Sequence, residues 1–298
     1  MLREEVIFMP RTKSILRYPG GKTQLTNFVK NTMKLNGLEK VTYCEPFSGG
    51  AGVCFSLLLN NDVENIILND LDNAIYSIWF AVINEPSRLI DRIKNIPITL
   101  DTWYRQKEIY EQRMLEDEYS FDLAFATLFL NRTNRAGIIN GGPIGGYKQE
   151  SKYSIDCRFN KVDIINKISN ISSLKERIRL YKYDAKVLIE NILLDENPER
   201  LFVFFDPPYY KQGKHLYKNA FEHMDHVNLY NSIRLMDDYY WITTYDYCSE
   251  IYDIYHNLSG YSYNLQYSAN KIRKEKEYIF HSSKTIIKSF DRVRLNRI

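Results

Sequence analysis

Residues 201–209 read Leu-Phe-Val-Phe-Phe-Asp-Pro-Pro-Tyr, five apolar residues followed at once by an acid, two prolines and a tyrosine. An apolar run this short, without polar alternation, is typical of a strand buried on both faces in a parallel sheet. The two prolines cannot continue the hydrogen-bond ladder, so the chain must leave the sheet after Asp206. Because ligands bind outside the carboxyl ends of strands in open α/β sheets, we expect Asp206, Pro207, Pro208 and Tyr209 to lie at an active site.

The chemistry of these four residues suits an amino group attached to an aromatic ring. The Asp206 carboxylate and the rigidly held Pro207 carbonyl can each accept a hydrogen bond from such a group, and the Tyr209 ring can stack on a heteroaromatic ring. A proline-terminated strand with a surface tyrosine would contain the same residues. The motif therefore predicts a site only in combination with other segments.

A second segment has the order strand, glycine-rich turn, helix, strand and acid. Val41–Cys44 indicates a strand, Glu45–Gly52 a glycine-rich turn and Val53–Leu59 a helix. Glycines there let the backbone approach a ligand at a helix N-terminus, although the spacing is not that of a dinucleotide-binding fingerprint. About twenty residues further on, the apolar run Ile66–Leu68 ends at Asn69 and Asp70, where an acid can bind the ribose hydroxyls of an adenosine-containing ligand.

A third segment, Arg-Tyr-Pro-Gly-Gly-Lys-Thr at residues 17–23, superficially resembles a phosphate-binding loop. The Walker A pattern requires a glycine five places before Gly21, and that place holds Leu16, so this interpretation fails. What remains is a tight turn with Lys22 at the start of an amphipathic helix, whose apolar positions are Leu25, Phe28, Val29 and Met33. A lysine at a helix N-terminus favours a carboxylate ligand.

Taken in order, these segments resemble the Dam-type DNA adenine-N6 methyltransferases. The resemblance rests on Tyr18–Lys22, Glu45–Gly50, Asn69-Asp70 and Asp206–Tyr209, and it departs from many members only at Tyr18, where they have tryptophan. It implies an α/β, Rossmann-like methyltransferase fold with a mainly parallel sheet, S-adenosylmethionine as methyl donor and no metal. The positions that it assigns to the cofactor are Tyr18, Lys22, Phe47, Gly49, Asp70, Asp184 and Asp206, and the catalytic motif is Asp206, Pro207, Pro208 and Tyr209.

The same resemblance implies an inserted target-recognition domain. We expect a catalytic domain at residues 1–84 and 165–298 and a helical, loop-rich DNA-binding insert at residues 85–164. Residues 131–167 contain seven Lys or Arg and three acidic residues, and this clustered positive charge suits binding of a phosphate backbone. Residues 271–298 contain nine Lys or Arg and three acidic residues. For this second cluster, a basic surface that only contacts solvent is an equally good interpretation. The candidate DNA-binding residues are Arg132, Asn134, Arg135, Tyr147, Arg158 and Asn160.

Composition restricts the class of protein further. The 298 residues include four cysteines without C-x-x-C spacing, so neither a zinc site nor a disulfide framework is indicated. No apolar run could span a bilayer and the first residues are charged, so we expect no membrane association and a cytoplasmic protein of a bacterial or phage-infected cell. The five histidines show no nucleophile or metal spacing, and for His223 and His226 we expect a helix-starting or surface role. Double-stranded DNA is the expected partner, with a cognate restriction endonuclease as a further candidate.

Three alternatives remain at this point. Methylation of cytosine N4 uses the same chemistry, and Asp206 does not exclude it. Methylation of RNA or of a protein glutamine is disfavoured, because related enzymes of those classes have Asn at the position of Asp206. A non-catalytic DNA-binding homologue is disfavoured because every expected motif residue is present.

Overall fold

The computed structural model describes residues 12–18, 20–211, 221–267 and 273–298. Their strands are β1 (Thr42–Glu45), β2 (Asn65–Asn69), β3 (Ile178–Tyr181), β4 (Leu201–Phe205), β5 (Tyr240–Asp246), β6 (Ser259–Tyr267), β7 (Arg273–His281) and β8 (Asn296–Arg297). Their α-helices are α1 (Thr26–Leu35), α2 (Gly52–Leu59), α3 (Asn73–Asn84), α4 (Pro86–Asn95), α5 (Leu100–Arg113), α6 (Phe121–Thr133), α7 (Lys161–Ser172), α8 (Ala185–Leu188), α9 (His223–Arg234) and α10 (Ser249–Tyr255).

All eight strands form one sheet in the order β3-β2-β1-β4-β5-β7-β6-β8. The pairings from β3 to β5 are parallel, whereas β7 runs antiparallel to both β5 and β6. The prediction of an α/β fold with a mainly parallel sheet is therefore confirmed. The chain passes from β1 to β2 on one side and reaches β4 on the other, so the strand order changes direction between β1 and β4, which is where open α/β sheets bind ligands.

Strand β4 has the bounds that its apolar run predicts, and all five of its residues are buried. Phe202 and Phe204 pack into one hydrophobic cluster, while Leu201, Val203 and Phe205 pack into the cluster on the opposite face. The first cluster includes α1 to α7 and the second includes α8 and α9. Layers of helices on both faces explain why this strand has no polar alternation.

Helices α4, α5 and α6 occupy the segment expected to belong to the insert. Their buried residues, among them Leu89, Trp103 and Phe125, belong to the same hydrophobic cluster as strand residues such as Tyr43 and Ile66. Every residue of α6 except Asp122 is buried, which explains its weak amphipathic pattern. The insert boundaries remain a prediction, but its helices share the core of the catalytic part.

The residues between α6 and α7 run from Asn134 to Asn160 and make many local hydrogen bonds. Arg135 N donates to the Gly142 carbonyl at 3.1 Å, and Ile144 N donates to the Thr133 carbonyl at 2.8 Å. The Gln149 amide donates to the carbonyls of Ile144 and Gly146. This loop is therefore built on fixed backbone contacts.

Within the described parts of the chain, no helix is long and apolar enough to cross a membrane. The four cysteines are free, and three of them are buried. His223 begins α9, whereas His226 is fully buried against the Tyr245 hydroxyl, so the surface role expected for it is wrong. His215 lies outside the described residues, as do Ser268 and Ala269 of the segment 267–269, which resembles a late strand of the Dam-type enzymes.

Candidate active site

Asp206 follows β4 directly, on the β4 side of the point where the strand order changes direction. Its side chain is 24% exposed, so it is open to a ligand although its surroundings are mostly protein. Thr244 Oγ1, from the neighbouring strand β5, donates to Asp206 Oδ1 at 2.8 Å. Lys22 Nζ lies 3.2 Å from the same oxygen. Both contacts hold the carboxylate through Oδ1.

Lys22 is almost completely buried, with 5% of its side chain exposed. Its ammonium lies 3.9 Å from Glu277 Oε1 and 4.6 Å from the centre of the Tyr209 ring. Tyr263 donates in turn to Glu277 Oε2. Strand β7 thus supplies a second buried carboxylate that balances the lysine, and the lysine covers one face of Tyr209. In this arrangement Lys22 is paired with Asp206 and Glu277, while its expected contact with a cofactor carboxylate stays a prediction.

The surroundings of Asp206 shift the pKa of its carboxyl group. Burial raises the pKa of Asp206 above its usual value, Lys22 lowers it, and the Glu277 carboxylate raises it again. The hydrogen bond from Thr244 also lowers the pKa. A carboxylate with a raised pKa is a better proton acceptor than an exposed one.

The residues after Tyr209 are held by a second buried acid, Asp246, at the end of β5. Its carboxylate accepts from Tyr210 N at 2.9 Å and from Lys211 N at 2.8 Å. Burial raises the pKa of Asp246, and these two amide donors lower it. The Asp206–Tyr209 turn is therefore fixed at one end by its strand and at the other by Asp246.

The glycine-rich turn after β1 packs on Tyr18. A Cβ atom at Gly49 would lie 2.7 Å from the Tyr18 ring, and one at Gly50 would lie 2.6 Å from Tyr18 Cβ. Gly49 also has a φ of 43°, a left-handed conformation that favours glycine. The indole of Trp79 donates to the Gly49 carbonyl at 2.9 Å. The two glycines are thus required by close contact with Tyr18.

Asp70 supports the same turn from the end of β2. Its carboxylate accepts from Gly49 N at 2.7 Å and from Asp72 N at 3.0 Å. Burial raises the pKa of Asp70 to about 7, and the Asp72 carboxylate adds to this shift. The structure therefore brings Tyr18, Gly49 and Asp70 together, as the sequence predicts.

Asn69 joins three loops at this edge of the sheet. Its amide donates to the carbonyls of Pro46 and Tyr183, each at 2.9 Å, and its carbonyl accepts from Tyr183 N at 2.8 Å. Phe47 is half-buried and makes an edge contact with Phe221. Asp184 is exposed and caps α8 by accepting from Lys186 N at 2.8 Å. All of these residues lie beside the carboxyl ends of β1, β2 and β3.

Four of the candidate DNA-binding residues lie at the surface. Arg135, Arg158 and Asn160 are exposed, and Asn160 caps α7 by accepting from Asp163 N. Tyr147 is 58% exposed, and its ring stacks on that of Tyr104 with a centroid distance of 6.4 Å. These side chains belong to the loop between α6 and α7 or to its border.

The other two candidates lie in the interior, contrary to what their polar surroundings in the sequence suggest. Asn134 is fully buried: it accepts from the Trp103 indole at 2.6 Å and donates to the carbonyls of Ile138 and Ile139. Both amide hydrogens are therefore used to hold the loop. Arg132 is 8% exposed, and burial lowers its pKa to about 10, with the Arg17 guanidinium adding to this shift.

Sequence reasoning missed several residues around Asp206. Thr244, Asp246 and Glu277 lie on strands that carry no recognisable motif, and their contacts cross between strands that are distant in sequence. The one available signal was a polar residue inside an apolar strand, as in Trp241–Tyr245, where Thr243 and Thr244 interrupt the run. Such a residue needs a partner when it is buried.

Comparison with known proteins identifies the family. The model of the D12 class N6 adenine-specific DNA methyltransferases matches residues 18–285. The chain is 26% identical over 217 residues to Type II methyltransferase M.MjaIII of Methanocaldococcus jannaschii, a match that covers 66% of this chain and 69% of the relative.

Solved structures give weaker likenesses. Two structures of the rRNA methyltransferase aviRa from Streptomyces viridochromogenes match at 12% and 13% identity, with TM-scores of 0.43 and 0.38. The first match covers 95% of this chain and 96% of aviRa, and the second covers 89% and 86%. Neither bears on the substrate of this chain. The family model, by contrast, spans nearly the whole protein and includes every motif described above, and the protein belongs to the D12 class N6 adenine-specific DNA methyltransferases.

Proposed function

We propose that this protein binds S-adenosylmethionine and methylates N6 of an adenine flipped out of duplex DNA, at a specific sequence. The observation that carries this proposal is the Asp206 carboxylate, held through Oδ1 by Thr244 and Lys22 at the ligand-binding edge of the sheet. Oδ2 is then the oxygen that we assign to the N6 amino group. Family membership favours adenine over cytosine N4, which the sequence motifs left open.

The residues around the glycine turn fit an adenosine-containing cofactor. The Tyr18 ring packs on the Gly49–Gly50 turn, and Asp70 lies at the end of β2, where an acid can reach ribose hydroxyls. We assign Tyr18, Phe47, Gly49 and Asp70 to this cofactor, with Asp184 and Lys22 as further candidates. When bound, S-adenosylmethionine supplies the methyl group on a positively charged sulfonium.

The protein contributes orientation and a proton acceptor. N6 of adenine is a poor nucleophile because its lone pair is conjugated with the ring. Hydrogen bonds from N6 to Asp206 Oδ2 and to the Pro207 carbonyl favour a nitrogen whose lone pair points out of the ring plane. Correct orientation of two reactants is worth roughly 7 to 11 kcal/mol.

A proton must leave N6 after methyl transfer, because the methylated amine carries a positive charge. Asp206 is in place to accept it, and the pKa of this carboxyl is raised by burial. Lys22 prevents the pKa from rising further, so the carboxylate remains available before transfer. The ion pair with Lys22 thus keeps the carboxylate available before transfer, while burial makes it a better proton acceptor afterwards.

Tyr209 provides the stacking surface for the target base. Lys22 covers one face of the ring at 4.6 Å, so the base would stack on the other face. An adenine inside a duplex cannot reach this cleft, and flipping it out costs a few kcal/mol that stacking and hydrogen bonds offset.

Sequence choice would come from the surface of the α6–α7 loop. Arg135, Tyr147, Arg158 and Asn160 are accessible there, whereas Asn134 would act by holding the loop in shape. The relative M.MjaIII is a Type II methyltransferase. By analogy, we propose a cognate restriction endonuclease as a functional partner of this protein.

The direct test is to incubate the purified protein with S-adenosylmethionine and unmethylated genomic DNA and to analyse the nucleosides by mass spectrometry. We expect N6-methyladenine, and methylation-aware sequencing of the product will give the target site. Asp206→Ala should abolish the product while keeping DNA affinity, because the lost contacts strengthen in the transition state. Asp238→Ala, which removes an exposed acid, is the control. Formation of N4-methylcytosine, or full activity of Asp206→Ala, would refute the proposal.

A further inference from the structure

The last residue of β5, Asp246, uses both of its carboxylate oxygens to hold two successive backbone amides. Tyr210 N donates to Oδ1 at 2.9 Å, and Lys211 N donates to Oδ2 at 2.8 Å. The two donors lie 36 and 35 residues before Asp246 in the sequence and directly follow the catalytic motif. Asp246 is 6% exposed and takes no part in the methyl transfer proposed above. It nevertheless contacts the backbone that carries Tyr209.

Only an ionised side chain can make both of these contacts well. A carboxylate has two acceptor oxygens and no donor, whereas the amide of asparagine has one acceptor oxygen and an NH₂ group that would meet the second backbone N–H. Burying a charge is costly unless it is hydrogen-bonded. Hydrogen bonds to an ionised acceptor are roughly twice as strong as those between neutral groups. Asp246 therefore holds this segment more firmly than a neutral residue would.

The two contacts affect the direction in which the Tyr209 side chain leaves the backbone. The peptide group between Tyr209 and Tyr210 is planar and includes Tyr209 Cα, so a fixed Tyr210 N–H fixes the orientation of that plane. On the other side of Tyr209, the rings of Pro207 and Pro208 each restrict φ to roughly −65°. Tyr209 thus lies between two rigid residues and an anchored peptide plane, and Asp246 provides the anchor.

The anchored backbone carries two neighbouring tyrosine rings with different surroundings. The centre of the Tyr209 ring lies 4.6 Å from the Lys22 ammonium. The centre of the Tyr210 ring lies 5.1 Å from that of the buried His226, and the Tyr210 hydroxyl lies 3.2 Å from His223 Nδ1. Tyr210 is therefore engaged by other parts of the protein, which leaves stacking on the target base to Tyr209.

We propose that Asp246 is a positioning residue that orients the Tyr209 ring for stacking on the target base, through the backbone amides of Tyr210 and Lys211. The proposal rests on the proposed function, and it deepens that function by giving the end of β5 a role in binding the flipped base. The glycine turn assigned to the cofactor is held by a different acid, Asp70, at the end of β2. A change at position 246 should therefore affect the base and leave the cofactor site intact.

The first measurement is kcat/KM for unmethylated genomic DNA at saturating S-adenosylmethionine, with the same DNA preparation for every variant. We expect Asp246→Asn to lower this value about tenfold, because one hydrogen bond to a charged acceptor is lost. The affinity for S-adenosylmethionine, measured by calorimetry, should be unchanged. Asp225→Asn is the matched control, since Asp225 is exposed and also accepts from a backbone amide, Glu222 N at 2.8 Å.

A double-mutant cycle with Tyr209→Ala separates a positioning role from a structural one. If Asp246 acts by orienting the Tyr209 ring, its effect disappears when the ring is absent. The double variant Tyr209→Ala/Asp246→Asn should then have the kcat/KM of Tyr209→Ala to within about twofold. A further loss of about tenfold in the double variant would mean that the two residues act independently, and it would overturn the proposal.

Two other results would also overturn the proposal: a folded Asp246→Asn enzyme with wild-type kcat/KM, or one with weakened binding of S-adenosylmethionine. If Asp246→Asn does not fold, Asp246→Thr takes its place in the same cycle, because threonine suits a strand and keeps one acceptor oxygen. Failure of the proposed function is seen separately. In that case the wild-type protein itself would form no N6-methyladenine, whereas failure of this proposal leaves wild-type methylation intact.

Discussion

Thr244→Val should slow methyl transfer without weakening cofactor or DNA binding. Thr244 is fully buried, and valine has nearly the same shape, so the change removes one hydrogen bond, the 2.8 Å contact from Oγ1 to Asp206 Oδ1. A hydrogen bond to a charged group is worth about 1.5 to 3 kcal/mol. Since Lys22 still holds the same oxygen at 3.2 Å, we expect the lower half of that range.

That loss corresponds to a decrease of about 10- to 45-fold in the rate of the chemical step. The assay is a single-turnover experiment with radiolabelled S-adenosylmethionine over a range of pH. Thr244 lowers the pKa of Asp206, so its removal raises that pKa further. The acid side of the rate profile, where Asp206 becomes protonated, should therefore move to higher pH.

Thr243→Val provides the matched control. Thr243 is the preceding residue of β5 and is also fully buried, and its Oγ1 has no hydrogen-bond partner within the described residues. The same substitution there should leave the rate unchanged and should not lower the melting temperature. A folded Thr244→Val enzyme with the wild-type rate and pH profile would refute the assigned orientation of Asp206.

Three further predictions concern the cofactor turn, the buried ion pair and the DNA surface. Burial raises the pKa of Asp70 to about 7, above about 3.9 in the unfolded chain. Its contribution to stability is therefore complete below pH ~4 and is lost as pH rises to about 7. The melting temperature of the wild type should fall relative to that of Asp70→Asn over this pH range. If the melting temperatures of the two proteins changed equally with pH, the raised pKa of Asp70 would be wrong. Glu277→Gln removes a carboxylate that raises the pKa of Asp206. The acid side of its single-turnover pH profile should therefore move to lower pH, opposite to the shift expected for Thr244→Val. A shift to higher pH would contradict the pairing of Lys22 with Asp206 and Glu277. Tyr147→Ala should weaken DNA binding by about 1 to 3 kcal/mol and leave cofactor affinity, measured by calorimetry, unchanged; Tyr252→Ala, another exposed tyrosine, is the control, and equal effects of the two would exclude a specific role for Tyr147.

The catalytic motif and the sheet that presents it were predictable from local patterns. A five-residue apolar run followed by two prolines can continue neither as a helix nor as a strand, which determines both the identity and the end of β4. The turn after β1 was predictable in the same way, because a glycine-rich turn into a helix, followed by a strand that ends in an acid, is typical of a cofactor-binding edge. The contact of Tyr18 with Gly49 and Gly50 then gives a steric reason for a pattern that was recognised by resemblance.

The side chains that set the charge state of Asp206 were not predictable. Thr244 and Glu277 lie on β5 and β7, and their distance from Asp206 depends on strand order and register, which no local pattern specifies. Lys22 was assigned to a ligand carboxylate, and its pairing with Asp206 appears only when the segment before α1 packs against the end of β4.

The segment Asn131–Arg135 shows most clearly what the sequence alone did not predict. Their polar composition indicated a DNA-reading surface, but the residues from Asn131 to Asn134 are buried where α6 ends and the loop to α7 begins. Buried backbone carbonyls and amides in such a loop need partners, which Asn131 and Asn134 provide. Local sequence therefore determines which residues can form hydrogen bonds or carry charge, whereas tertiary packing decides which of them face the protein and which face the ligand, because burial depends on elements far away in the chain.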